Sequence, residues 1–159
     1  MAEPTYSRAD ILRIEAFGLP RPTGVLVCVT GGRTFDDLGF VWAHLDTVHN
    51  LPAEMGGEGP IACIGFGCAT GVDDLALKWA ESNNVPWMRY VADWDRWGTS
   101  AGSIRNIVML EHFEPDRLLV FPGGTGTTHC TRSARKRGIE RTFFTVDDGD
   151  PFADSSRWG

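Results

Sequence analysis

The sequence predicts an α/β fold: a Rossmann-like three-layer sandwich around a mainly parallel five-stranded sheet. Three observations carry this. Five short apolar runs lack the polar alternation of a half-exposed strand, as strands buried on both faces do. The runs end at glycine, proline or aspartate, where polar loops begin. Apolar residues at helical spacing fill the intervals, and repeated strand–helix alternation builds right-handed crossovers.

Taken in order, Val25-Leu26-Val27-Cys28-Val29 predicts a strand over 25–30 that breaks at Gly31-Gly32. Phe40, Val41, Leu45 and Val48 then fall on one helical face. Ile61 to Ile64 predicts a strand over 60–65, ending at Gly65 and Gly67, and Leu75, Ala76 and Trp79 mark the next helix. Trp87 to Val91 predicts a strand over 86–92, breaking into Asp93-Trp94-Asp95, and Ile104, Ile107, Val108 and Leu110 mark the third helix. Leu118 to Phe121 predicts a strand over 117–121 that stops at Pro122-Gly123-Gly124. A weakly amphipathic helix over Thr127 to Arg137 leads to the last strand, expected at 142–146. The domain is expected to cover 24–147. Residues 1–23, with Pro20 and Pro22, read as an N-terminal extension, and 148–159 as an acidic flexible tail.

A chain of 159 residues fits one such domain. Its 15 Lys+Arg against 21 Asp+Glu give a formal net charge of −6. That balance disfavours nucleic-acid coating, which needs a basic face, but leaves room for a locally positive pocket. No apolar run approaches the roughly 20 residues of a bilayer span, so no membrane contact is expected. The N-terminus lacks the pattern of a secretory signal, and a cytoplasmic location is expected. Cys63 and Cys68 are spaced C-x4-C, wider than the C-x2-C of zinc knuckles, and Cys28 and Cys130 stand apart. Neither a metal nor a cofactor is expected.

In parallel sheets ligands bind outside the carboxyl ends of the strands. Four post-strand loops therefore carry the candidate site. Thr30-Gly31-Gly32-Arg33 combines paired glycines, which admit an anion to the backbone, with a guanidinium; a plain turn explains it as well. Gly65-Phe66-Gly67-Cys68-Ala69-Thr70-Gly71 misses the dinucleotide fingerprint by one residue. The following Asp73 and Asp74 suit either ribose contact or the positive end of a helix dipole. In Asp93-Trp94-Asp95-Arg96-Trp97-Gly98 the indoles suit base stacking or lid packing. Arg105, near a helix start where a cation is disfavoured, calls for an anionic partner. Pro122-Gly123-Gly124-Thr125-Gly126-Thr127 is the most specific stretch. Three glycines and two threonines after a buried strand offer free N–H groups, hydroxyls and a helix end to one phosphate.

These motifs resemble the SLOG superfamily. Pro122-Gly123-Gly124-x-Gly126-Thr127 is similar to its PGGxGT signature, shared by Lonely Guy phosphoribohydrolases and DprA-like proteins. GGRTFDD at Gly31–Asp37, GVDDLALKWA at Gly71–Ala80 and ADWDRWGTSAGSIRN at Ala92–Asn106 resemble the YspA-like branch, many of whose members occur in phages and mobile elements. The resemblance covers about residues 25–146 and implies a Rossmann-like fold that binds nucleotides or their derivatives. Gly31, Gly32, Arg33, Gly67, Gly71, Gly123, Gly124, Thr125, Gly126 and Thr127 are the expected ligand-binding residues. The enzymatic relatives carry PGGxGTxxE, whose glutamate assists cleavage of the base–ribose bond; here that position is Cys130, preceded by His129. The motif arginine of those enzymes has a counterpart in Arg105.

Two functions follow as expectations. The first is binding of a nucleoside monophosphate or an ADP-ribose-like ligand. The alternative is a phosphoribohydrolase of nucleoside 5′-monophosphates, with Arg105 and a carboxylate from Asp73, Asp74 or Asp93 as catalytic groups. DprA-like single-strand binding is disfavoured by the acidic charge. Relatives in the superfamily pair through helices, so a homodimer is expected, with Phe17, Trp42 and Trp79 as candidate surface residues, core packing being the blander reading of each.

Overall fold

A computed structural model describes residues 24–67 and 70–146. The proposed extension and tail, with Phe17 and Cys68, lie outside the described residues. The elements run β1 (Val25–Thr30), α1 (Leu38–Asn50), β2 (Ile61–Gly67), α2 (Val72–Ser82), β3 (Trp87–Tyr90) and the short α3 (Trp94–Trp97). They continue with α4 (Ala101–Phe113), β4 (Arg117–Val120), α5 (Thr125–Lys136) and β5 (Glu140–Phe143). All five strands form one parallel sheet in the order β3-β2-β1-β4-β5.

The three layers follow from side-chain alternation along the central strand. Val27 and Val29 join the α1/α2 face, packed with Val41, Leu45, Ala76 and Trp79. Leu26 and Cys28 join the α4/α5 face with Met109, Leu110, Phe113 and Ala134. Both faces are covered, which is why the strands read as continuous apolar runs rather than alternating ones. Trp79 is fully buried and its Nε1 donates to Asp46 Oδ1 at 2.8 Å, so it is core and not an association surface. Trp42 is half-buried against the same cluster and donates to Leu75 O at 3.1 Å.

Several boundaries differ from the sequence expectation for physical reasons. β2 extends through Gly65 and Gly67, because these glycines admit neighbouring side chains instead of turning the chain. A Cβ on Gly65 would stand 2.9 Å from Phe113 of α4. β3 is confined to Trp87–Tyr90, with Pro86 before it and Val91 70% exposed after it. β5 lies two residues earlier than expected. Among the described residues its only neighbour is β4, whose register pairs Arg117 with Glu140 and Val120 with Phe143, and a half-exposed edge tolerates Glu140 and Arg141. In α4 the buried face is Ala101, Asn106, Met109, Leu110 and Phe113, while Val108 is exposed.

Candidate functional site

β1 and β4 are neighbours, but the helices that follow them pack on opposite faces of the sheet. Their loops diverge and open a crevice at the switch in strand order. A cavity of about 1080 Å³ occupies it. This is just above the roughly 300–1,000 Å³ usual for small-molecule sites. It is lined by the loops after β1 and β4, by the ends of β2 and α2, and by α3, α4 and α5.

Local chemistry explains how the loops hold their shape. Gly32 N donates to Pro122 O at 2.8 Å and Phe121 N to Thr30 O at 2.9 Å. Gly123 sits where a Cβ would run into Thr127 Oγ1 and lie 2.7 Å from Gly32 N, so only glycine lets the two backbones meet. Gly124 and Gly126 face open space. Gly124 is the N-cap of α5, with no side-chain cap and no acidic residue in the first turn. The first α5 amide with a helical partner is Thr128 N, on Gly124 O at 3.0 Å. The N–H groups of Thr125, Gly126 and Thr127 thus have no carbonyl of their own helix to bond, and the positive helix end faces the cavity.

Gly31, Gly32, Arg33, Gly67, Gly123, Gly124, Thr125, Gly126 and Thr127 all line this cavity, as do Asp73 and Arg105. Gly71 does not. Its φ is +74°, and a Cβ there would strike the carbonyls of Gly32 and Arg33, so it serves loop packing. Asp93 is also elsewhere: its Oδ1 accepts Arg96 N at 3.1 Å and caps α3, outside the cavity lining. Asp74 pairs with Lys78 at 3.0 Å on the surface. Of the three candidate carboxylates only Asp73 reaches the site, 8% exposed in the first turn of α2. Arg105 Nη1 and Asp73 Oδ2 both approach Gly67, the latter at 2.8 Å from where a Cβ would stand. Trp94 lines the cavity with the Arg33 guanidinium 5.0 Å from its ring centroid, whereas Trp97 takes no part in the lining.

Arg105 is held by its neighbour, donating from Nε to Asn106 Oδ1 at 3.0 Å. Asn106, His129, Arg132 and Asp36 also line the cavity and were not among the expected site residues. Only the buried polar position of Asn106 in a helix could have signalled it, and burial is not visible in one sequence. Cys130, at the position of the relatives' glutamate, is fully buried. Burial, opposed by a hydrogen bond with Thr30 and the charge of Arg105 and helped by nearby Asp73, pushes its thiol up to about 12. It is neither a carboxylate surrogate nor a thiolate nucleophile at neutral pH. Among the described residues no group of three or more His, Cys, Asp or Glu could hold a metal ion, and no helix is long and apolar enough to cross a membrane.

Fold and crevice together define a Rossmann-like α/β domain with an uncapped helix N-terminus at the switch point of its sheet. The chain belongs to the YspA, cpYpsA-related SLOG family, whose model matches residues 25–97. It is 38% identical over 121 residues to the Gene 61 protein of Mycobacterium phage D29, covering 71% of this chain and 90% of that one. Among solved structures it is similar to the UDP-GlcNAc 2-epimerase from Neisseria meningitidis bound to UDP-GlcNAc, at 15% identity and a TM-score of 0.45. That likeness covers 83% of this chain and 36% of the epimerase, so the chain spans about a third of the epimerase's length.

Proposed function

We propose that the domain binds a nucleotide or nucleotide derivative, with a phosphate seated at the N-terminus of α5. One observation carries the reading: the uncapped first turn of α5, Thr127 and the Arg105 side chain face one cavity at the crevice between β1 and β4. A phosphate needs several donors at about 2.7–3.1 Å, and this arrangement supplies amides, a hydroxyl and a guanidinium from separate elements. Trp94, half exposed beside Arg33, offers an aromatic surface for the base. Thermal-shift screening of nucleotides against their unphosphorylated nucleosides tests this. A ligand at 100 times its dissociation constant adds about 2.7 kcal/mol. Equal affinity for both classes overturns it.

A second reading, phosphoribohydrolase activity, is favoured by Asp73 alone. Water would add to C1′ of a nucleoside 5′-monophosphate, the N-glycosidic bond would break, and the base would leave with a proton, giving ribose 5-phosphate. A buried carboxylate beside Arg105 fits stabilisation of positive charge developing on the ribose. Chromatography of each binding nucleotide after incubation decides it. Free base produced by the unmodified protein and lost in Asp73→Asn supports hydrolysis; intact nucleotide leaves binding as the function.

A further inference from the structure

Asn106 is 5% exposed, and its side-chain amide is engaged from three sides. Arg105 Nε donates to Oδ1 at 3.0 Å, while Nδ2 stands 3.2 Å from Gly126 O and 3.3 Å from His129 Nδ1. Elementary donor–acceptor chemistry leaves one assignment. A guanidinium N–H only donates, so the atom facing Arg105 is the amide oxygen. A carbonyl oxygen only accepts, so the atom facing Gly126 is the amide nitrogen. That nitrogen cannot accept, so His129 Nδ1 must. A neutral imidazole whose Nδ1 accepts carries its proton on Nε2.

We propose that His129 is a ligand-binding residue, locked by Asn106 as the Nε2–H tautomer to donate a hydrogen bond to a sugar phosphate monoester. The proposal rests on the phosphate reading above and adds to it a donor outside the glycine loop. His129 lines the same cavity one helical turn beyond Thr125, and among the described residues Nε2 makes no hydrogen bond. Burial, reinforced by the positive charges of Lys136 and Arg137, holds the ring below the ordinary imidazole pKa. Protonating Nδ1 would also set two donors face to face across Asn106. The ring therefore meets the ligand as a neutral, singly protonated donor. Asn106 is the positioning residue: one amide fixes the tautomer of His129, holds Arg105 and contacts the first turn of α5.

Two measurements test this on the full chain. Long-range 1H–15N correlation spectra of 15N-histidine-labelled protein report the tautomer, with the His129 signal assigned by its absence in variants. Calorimetry with ribose 5-phosphate then compares the unmodified protein with His129→Asn and His129→Gln. Asparagine places its amide near the position of Nδ1, whereas glutamine reaches that of Nε2. The expected result is an Nε2–H tautomer whose signal shifts on adding ribose 5-phosphate. Affinity should fall about tenfold in His129→Asn and about threefold or less in His129→Gln. An Nδ1–H tautomer, or undiminished binding by His129→Asn while Arg105→Ala is weakened, overturns this proposal and leaves the phosphate reading standing. Failure of the unmodified protein to bind phosphorylated ligands, with the Nε2–H tautomer present, overturns the phosphate reading and the contact together.

Discussion

Gly32 N and Pro122 O meet at 2.8 Å, so the loop after β1 is hydrogen-bonded through its backbone to the loop after β4. The two strands whose helices diverge are thereby tied together just where the crevice opens. The two glycines that follow Pro122 have different surroundings, and substitution should separate them.

Gly123→Ala places a methyl group against Thr127 Oγ1 and 2.7 Å from Gly32 N. It should destabilise the fold by about 1–3 kcal/mol, the usual range for overpacking. Gly124→Val meets open space and should cost at most about 1 kcal/mol while obstructing the phosphate. Urea unfolding and calorimetry on both variants check the contrast. Similar destabilisation by the two would refute it.

Arg105→Ala removes the guanidinium held by Asn106. Affinity for phosphorylated ligands should fall about 10- to 100-fold, the scale of a hydrogen bond to a charged group. Binding of unphosphorylated nucleosides should be unchanged. Equal losses for both would mean that the arginine acts on folding or on the base.

Acidification should destabilise the protein. Burial lowers the pKa of His44 and of His49, the latter against the opposing charge of Asp46, and burial also lowers His129. In each case the unfolded chain, near pKa 6.5, takes up a proton at higher pH than the native state. Stability is therefore full above about pH 6.5 and is lost as the pH falls through the lowered native values. For His49 the structural cause is visible: Nδ1 accepts the Ile61 N–H at 2.9 Å, a bond that protonation destroys. Melting temperatures between pH 7.5 and 5 should decline, and less steeply in His49→Asn. A flat profile would contradict this.

Cys28, Cys63 and Cys130 are buried thiols. Burial raises the pKa of Cys28 well above the ordinary thiol value, helped by the neighbouring Cys130, Cys63 and Asp73, and Cys130 reaches about 12. Iodoacetamide at pH 8 should leave all three unmodified in the native protein and label them after unfolding, as peptide mapping would read. Rapid native labelling of Cys130 would show that it is open to the cavity.

The fold was legible because the sheet is buried on both faces. A continuous apolar run as short as Val25–Val29, stopped by paired glycines, suits a strand enclosed between two helical layers and little else. Pro122–Thr127 likewise announces a glycine-rich turn that opens a helix. Partners brought together only by tertiary packing were not legible. Gly71 looked like part of a phosphate loop until the carbonyls of Gly32 and Arg33 closed around it. Asp93 looked like a catalytic carboxylate, though an aspartate three residues before Arg96 N also fits an N-cap, and that is its role. Asn106 and His129 lie 23 positions apart on different helices, and nothing local in either helix points to the other. β5 starts earlier than its apolar residues suggest because its register is taken from the strand it pairs with, β4.

The place of β1 between β2 and β4 also sets the order in which the molecule can assemble during synthesis. One edge of β1 is satisfied early, by β2, which follows within about forty residues. The other edge waits for β4, and Leu26 N finds its acceptor on Asp116, 90 positions downstream. Until the ribosome has released that far segment, the central strand has an open ladder and the crevice has only one wall. The glycine loop and α5 emerge later still, so the pocket is among the last parts of the domain to form.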